Sequence, residues 1–243
     1  MQPDTARLCR ALSYTFLDQG LLEQALTHRS ANRKYNNERL EFLGDAQLGQ
    51  VISRYLFVTF DSASEGQLTR MRASLVKGQT LAAVALEINL GDYLLLGGGE
   101  LKSGGFRRES ILADAFEAVL GAILIDGGEQ ACADVILSCF ASRLATITPV
   151  SVKKDAKTQL QELLQGRQRP LPLYEVVSIA GLAPKQSFEL RCTLTDTEQS
   201  FVAGGTSRRK AEQAAASLAL KMLDDDTTVA PATQPQTKDD RNE

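Results

Sequence analysis

The sequence predicts two domains of different fold class, an all-α domain followed by a small α+β domain. Apolar residues recur at a spacing near 3.6 through residues 1–148, which is typical of packed helices. In SFELRCTL, beyond residue 155, apolar and polar side chains instead alternate, as they do in a strand with one buried face. Both segments are long enough to form a domain.

The first domain is predicted to contain amphipathic helices separated by clear stop signals. Ser64 and Gln67 have the spacing of a capping box, which places a helix start directly after Ser64. Gly127 and Gly128 predict the end of the preceding helix. The helical periodicity covers residues 21–27, 37–59, 65–87, 109–126 and 129–146.

The second domain, residues 155–223, follows a short polar linker at 149–154. Its predicted order is α-β-β-β-α: a helix in DAKTQLQELLQG, strands in LYEVVSIAG, SFELRCTL and QSFVAGG, and a final helix after Thr206 or Ser207. Residues 224–243 are polar, acidic and contain proline, so we expect a disordered tail.

Charge is distributed unevenly along the chain, although the net charge is only −3. Residues 1–152 hold 14 basic and 17 acidic side chains, whereas residues 153–223 hold 11 basic and 7 acidic. The last 20 residues hold 2 basic and 6 acidic. A basic module therefore lies between two acidic segments, and this placement suits a polyanionic partner better than the net charge suggests.

Several classes of protein are disfavoured by composition. No apolar run of about 18 residues is present, and the first residues lack a basic-then-apolar signal pattern, so we expect a cytoplasmic protein without a membrane span. The four cysteines show no CxxC spacing, which favours reduced thiols. His28 is the only histidine, which disfavours zinc sites built on histidine and a Ser-His-Asp triad.

Two apolar segments carry unpaired acidic residues. ILADAFEAVLGAILI, residues 111–125, contains only Asp114 and Glu117 as charged residues, three apart, and no Lys or Arg to pair with them. NERLEFLGDA, residues 37–46, places Glu38, Glu41 and Asp45 within one arc of a helix. A solvated acidic face is the alternative interpretation, but the apolar surroundings argue against it.

Packing of these two helices would bring four carboxylates together: Glu41, Asp45, Asp114 and Glu117. Four like charges in one pocket require cations, and an oxygen-only ligand set suits Mg²⁺ or Mn²⁺. Such ions activate water and stabilise the leaving oxygen of a phosphodiester. We therefore predict a metal-dependent phosphodiester hydrolase.

The final helix begins with three cations, Arg208, Arg209 and Lys210. Cations at this end oppose the helix dipole, so a phosphate-binding role explains them better than a merely solvated charge run. Aromatic residues in the module are few, which disfavours base stacking and favours recognition of an A-form duplex by its shape.

These motifs resemble the ribonuclease III family. The resemblance is carried by NERLEFLGDA, GGFRRESILADAFEAVLGA, ALTHRS and LTRMRASLVKGQTLA, and residues 155–223 resemble the family's double-stranded RNA-binding domain. It implies a homodimeric, Mg²⁺-dependent endonuclease of double-stranded RNA, with Mn²⁺ as a substitute. Family products carry 5′-phosphate and 3′-hydroxyl ends, and family members process ribosomal RNA precursors and structured messenger RNAs.

The resemblance also implies roles for individual residues. Glu41, Asp45, Asp114 and Glu117 match the family's metal ligands, and Asp45 and Glu117 match the two residues called catalytic. Glu38 and Glu65 match acidic positions near the substrate and the dimer valley, although each also fits an ordinary acid at a helix start. Thr158, Gln161 and Glu162 match minor-groove contacts, and Arg208, Arg209 and Lys210 match the phosphate-binding helix start.

Three further expectations concern the dimer, one loop and rival functions. Phe42 matches an aromatic residue that inserts into a partner subunit, the alternative being a place in the core of its own chain. Pro184 stands where the family commonly has a histidine, which predicts weaker or differently placed contact with RNA. The rivals are a catalytically silent RNA-binding protein that uses its helical domain only to dimerise, and a phosphohydrolase of small nucleotides.

Overall fold

The structure is a computed structural model that describes residues 5–151, 155–182 and 185–228, with only the backbone described for 224–228. The chain divides into two compact units, Met1–Val152 and Lys153–Glu243. The first is helical, and the second combines three strands with two helices, so the predicted fold class is confirmed. None of the helices in these described ranges is long and apolar enough to cross a membrane.

The first unit is built around one long central helix. Its helices are α1 Ala6–Leu12, α2 Gln19–Leu26, α3 Glu38–Thr59, α4 Glu65–Val76, α5 Gly78–Glu87, α6 Gly98–Lys102 and α7 Glu109–Thr146, with short 3₁₀ turns at Leu90–Tyr93 and Gly105–Arg107. Helix α7 packs against α3, α5 and α2, and nearly every side chain from Ile111 to Ile123 is buried. This apolar stretch is long enough to form the core of the unit, as its sequence predicts.

Two helix boundaries differ from the prediction. Helix α7 continues through the segment where Gly127 and Gly128 predict an end, and only Gly128 leaves helical geometry, at φ 82°. Left-handed backbone of this kind is easy for glycine, which allows a kink without a loop. The predicted segment 65–87 is two helices, because Lys77 is extended and starts α5. The predicted capping box of Ser64 and Gln67 is confirmed.

The second unit follows the predicted order. Its elements are α8 Ala156–Gly166, β1 Leu173–Ala180, β2 Ser187–Leu194, β3 Gln199–Gly205 and α9 Arg208–Thr228, and the antiparallel sheet has the order β1-β2-β3. Leu190, Cys192 and Leu194 of β2 face the helices and are buried, as their alternation predicts. Of the two predicted N-caps, Ser207 accepts a hydrogen bond from the backbone of Lys210.

The predicted start of the disordered tail at 224 is wrong, because α9 extends to Thr228. No glycine or proline interrupts residues 208–228, so nothing in the sequence stops the helix at 223. The remainder of the tail, 229–243, and the loop residue Pro184 lie outside the described residues.

Candidate active site

The candidate active site forms where α3 crosses α7 with their backbones in contact. Gly44 of α3 and Gly121 of α7 are the residues that permit this approach. A Cβ at Gly44 would overlap the carbonyl oxygen of Glu117, and one at Gly121 would overlap that of Leu40. The close crossing places the acidic residues of the two helices on a shared edge.

Three of the predicted carboxylates come together at this edge. Glu41, Asp114 and Glu117 each offer an oxygen that lies within 4.8 Å of the others, and all three side chains are half-buried. Asp45, one helical turn beyond Glu41, is exposed and is not part of this group. The structure therefore brings together three members of the predicted set and leaves Asp45 beside them.

Among the three acids of the group, Glu117 has the largest pKa shift. Burial and the charges of Asp45, Glu41 and Asp114 raise the pKa of Glu117 to about 8. Among the neighbouring charges, that of Asp45 contributes most, so Asp45 interacts with the group although it lies outside it. Burial and neighbouring acids also raise the pKa of Glu41, and burial raises the pKa of Asp114.

This donor set fits a hard divalent cation. Three convergent carboxylates supply oxygen ligands of the kind that Mg²⁺ and Mn²⁺ prefer. Burial and the neighbouring acids both disfavour the charged form of Glu117, and a bound cation would offset both effects. Neither a histidine nor a cysteine belongs to the group, so its chemistry is unlike that of a zinc site.

An open cavity of about 730 Å³ lies next to the carboxylates. Glu38 lines it and accepts a hydrogen bond from Arg29 at 3.2 Å, whereas Glu65 lies outside it at the start of α4. The carboxylate of Glu65 accepts a hydrogen bond from the Thr69 hydroxyl at 2.7 Å. The two acids that sequence reasoning treated alike thus have different surroundings.

Sequence reasoning missed the basic side chains of this cavity. His28, Arg29, Arg33 and Arg108 line it together with Glu41 and Asp114. Electrostatic attraction to His28 and Arg29 lowers the pKa of Asp114 and partly offsets the effect of burial. The apolar run at 111–125 contains no Lys or Arg, as the sequence shows. The basic side chains near Asp114 come instead from a segment more than 80 residues earlier in the chain.

In the second unit, the starts of α8 and α9 meet at an open cavity of about 510 Å³. Thr158 and Gln161 of α8 line it together with Arg208 and Arg209 of α9, so four of the six predicted RNA-binding residues lie side by side. Glu162 and Lys210 are exposed but do not line this cavity.

An ion-pair network connects the two helix starts. Glu212 of α9 accepts hydrogen bonds from the ammonium group of Lys157 at 2.8 Å and from the guanidinium group of Arg208 at 3.1 Å. The Lys157 ammonium group also lies 4.5 Å from the centre of the Tyr174 ring. These cations lower the pKa of Glu212, in contrast to the carboxylates of the first unit. The network was not predicted, because it joins residues 55 positions apart.

Phe42 is 80% exposed on α3, which excludes the alternative that it belongs to the core of its own chain. Along α3, Phe42 directly follows Glu41 of the acidic group.

Comparison with known proteins identifies the family. A family profile described as Ribonuclease-III-like matches residues 18–144, and one for the double-stranded RNA binding motif matches residues 156–223. The chain belongs to the ribonuclease III family. Enzymes of this family generally use divalent metal ions, which agrees with the acidic group at the α3–α7 crossing.

Curated members of the ribonuclease III family cover nearly the whole chain. Ribonuclease 3 of Alcanivorax borkumensis is 63% identical over 224 residues, which are 92% of this chain and 98% of that protein. Ribonuclease 3 of Shewanella amazonensis is 57% identical over 217 residues, covering 89% of this chain and 96% of that protein.

Solved structures support the fold of the first unit. Two solved structures of the ribonuclease III nuclease domain from Campylobacter jejuni match 58% of this chain, with 42% and 43% identity and TM-scores of 0.56 and 0.54. They cover 97% and 95% of those chains. One of them describes structural flexibility in a region involved in dimer formation of that nuclease domain.

Proposed function

We propose that this chain is an endoribonuclease that hydrolyses phosphodiester bonds in double-stranded RNA with the help of Mg²⁺. The convergence of Glu41, Asp114 and Glu117 at the α3–α7 crossing carries the proposal. Such a half-buried acidic group next to an open cavity suits phosphodiester chemistry supported by a metal ion. Family membership and the matched RNA-binding motif supply the substrate class.

In this proposal Glu41, Asp45, Asp114 and Glu117 hold the cation, and Asp45 and Glu117 are the two catalytic carboxylates. A bound Mg²⁺ supplies an activated water and stabilises the charge that develops on the leaving oxygen. The four carboxylates would hold the ion beside the cavity. The products carry 5′-phosphate and 3′-hydroxyl ends, as in the family.

The second unit supplies affinity for the duplex. Thr158, Gln161 and Glu162 face a minor groove, and Arg208, Arg209 and Lys210 contact phosphates at the start of α9. Exposed cations at a helix start form a favourable phosphate site. Shape recognition through phosphates and 2′-hydroxyl groups requires no particular base sequence.

A symmetric homodimer completes the proposal, because two identical sites related by a two-fold axis can cut both strands of a duplex. The exposure of Phe42 supports a place for it in the subunit interface. Processing of ribosomal RNA precursors and structured messenger RNAs, and a cytoplasmic location, are the roles that family membership implies.

The decisive experiment compares cleavage and binding of a long RNA duplex by the wild-type chain, Glu117→Gln and Glu129→Gln, with and without Mg²⁺. Glu129 is an exposed acid on the same helix, outside the acidic group, and so is a matched control. We expect wild type and the Glu129 variant to cut the duplex only with Mg²⁺. The Glu117 variant should bind the duplex normally and leave it intact.

A wild-type chain that binds the duplex but cuts it with neither Mg²⁺ nor Mn²⁺ would favour the silent RNA-binding protein instead. Sedimentation of wild type and Phe42→Ala tests the dimer separately. We expect wild type to sediment as a dimer and the variant to dissociate at a higher concentration.

A further inference from the structure

The turn that carries His28 and Arg29 is held firmly beside the acidic group. The backbone N–H of His28 donates to the carbonyl of Leu95 at 3.0 Å, and that of Leu95 donates to Leu26 at 2.9 Å. Gly97 donates its N–H to the Ser30 hydroxyl at 2.9 Å, and a Cβ at Gly97 would overlap the Ser30 carbonyl oxygen. The position of this turn is therefore fixed by the backbone of the 95–97 segment.

Ser30 determines which nitrogen of His28 donates. The Ser30 backbone N–H donates to Nδ1 of His28 at 3.2 Å, and the Ser30 hydroxyl oxygen lies 2.8 Å from the same nitrogen. This oxygen already accepts from Gly97, so its own proton is available to donate to Nδ1. A neutral His28 consequently carries its proton on Nε2, and within the described residues no group accepts it.

Arg29 is a second donor at the same place. It pairs with Glu38 at 3.2 Å, and the two side chains are 70% and 52% exposed. Exposed ion pairs of this kind contribute little, so the guanidinium group is released from Glu38 at low cost. Both Arg29 and His28 line the cavity that also borders Glu41 and Asp114.

A polyanion that approaches this edge meets carboxylates, and donors beside them would hold it in place. We propose that His28 and Arg29 form a phosphate subsite that binds a non-bridging oxygen of one RNA phosphate beside the acidic group. His28 Nε2 donates one hydrogen bond, and the planar guanidinium group of Arg29 donates in its fork geometry. The subsite rests on the proposed function, since RNA must reach the acidic group for its phosphate to be bound there.

The first test observes His28 directly. As the only histidine of the chain, it gives a single imidazole signal in a spectrum of histidine-labelled protein. The full-length Glu117→Gln variant is titrated with a short RNA duplex in Mg²⁺, and binding is followed in parallel by fluorescence anisotropy. We expect the imidazole signal to shift with the same saturation as binding. An unmoved signal at full binding would overturn the subsite.

The second test measures whether the effect of changing each side chain depends on one particular phosphate of the RNA. Single-turnover cleavage is measured on duplexes in which one phosphate at a time is replaced by a neutral methylphosphonate. Arg29→Met should slow cleavage of the unmodified duplex roughly tenfold to a hundredfold, the usual value of a charged hydrogen bond. Arg29→Lys should recover part of this rate.

The phosphate that contacts His28 and Arg29 is identified by comparing the effect of each methylphosphonate in the different variants. At one phosphate position, the methylphosphonate should slow wild type and the control Arg7→Met more strongly than it slows Arg29→Met or His28→Ala, each of which keeps one of the two donors. Arg7 is a suitable control, because it is an exposed cation of α1 that does not line the cavity. Each variant is compared with itself on modified and unmodified duplexes, so a smaller fraction of folded protein does not change the ratio of the two rates. Equal slowing of all variants at every position would refute the subsite while the proposed function stands. A wild-type chain that fails to cut the unmodified duplex would overturn both.

Discussion

The acidic group of the first unit and the ion-pair network of the second use carboxylates in opposite ways. Glu117 lies among other acids, and its pKa is raised to about 8. Glu212 lies between Lys157 and Arg208, and its pKa is lowered. Burial is the largest cause of the raised pKa of Glu117, and the neighbouring acids add to it. At Glu212 the hydrogen bonds and charges of Lys157 and Arg208 outweigh burial.

In the proposed function, this difference corresponds to two ways of binding an RNA duplex, one through a metal ion and one through basic side chains. In that proposal, the acidic group takes its positive charge from a metal ion in solution. The network around Glu212 is neutralised from within, which leaves Arg209 and Lys210 exposed for phosphates. Three substitutions test this contrast, taken in order of decreasing effect.

The largest effect is expected from Gly44→Ala. A Cβ at this position meets the backbone of Glu117 and Gly121, which side-chain movement cannot relieve, so α3 must move away from α7. We expect a loss of about 3 kcal/mol in the free energy of unfolding, together with a loss of cleavage. Urea denaturation of the full chain measures the first quantity.

Gly49→Ala is the matched control, because it lies on the same helix with no atom within 4 Å of its added Cβ. It should stabilise the protein by about 0.5–1 kcal/mol through helix propensity. Equal effects at both positions would show that the close crossing is unimportant.

The second effect concerns Glu117→Gln in the absence of metal. Glu117 has a raised pKa in the folded state, so its carboxylate costs nothing below about pH 4.5 and progressively destabilises the fold as the pH rises towards about 8. After allowance for solvent screening, the variant should be about 2 kcal/mol more stable than wild type near pH 8. Calorimetry in EDTA across this pH range measures the difference.

In excess Mg²⁺ the order should reverse, because wild type gains binding energy that the amide cannot provide in full. A wild-type chain that becomes more stable as the pH rises in EDTA would contradict the repulsion at the acidic group.

The smallest effect is expected from Glu212→Gln. A lowered pKa means that the Glu212 carboxylate stabilises the fold above its ordinary pKa, and that this contribution is lost as the pH falls through the lowered value. We expect the variant to lose about 1 kcal/mol near neutral pH and to approach wild type in acid. Amide hydrogen exchange in β2 reports the stability of this unit alone.

The same variant should bind duplex RNA more weakly, because Lys157 and Arg208 lose the acid that fixes their positions. Glu189→Gln serves as its control, because it changes an exposed acid of β2 that accepts a hydrogen bond from Ser178 and is not part of the network. Identical hydrogen exchange in the two variants at all pH values would indicate that the network does not stabilise the unit.

Local sequence patterns predicted most of the fold and part of the candidate site. The alternation in β2 and the spacing of Glu41, Asp114 and Glu117 are properties of single elements, so they are visible without a structure. The approach of Arg29 to Asp114 and that of Lys157 to Glu212 depend on how distant segments pack, which no local pattern encodes. The predicted helix end at Gly128 was wrong, since a glycine that permits a helix to end permits a kink within a helix as well.

The contact of Gly44 with Gly121 has a consequence for how the protein tolerates sequence change. Because the two backbones touch, the separation between the acids of α3 and those of α7 depends on peptide geometry rather than on the size of core side chains. Residues such as Leu48 and Ile52 can therefore be exchanged for others of similar volume at a modest cost in stability. Such exchanges should leave the span between Glu41 and Glu117 unchanged, so the hydrophobic interior can vary while the arrangement of the acidic group is kept.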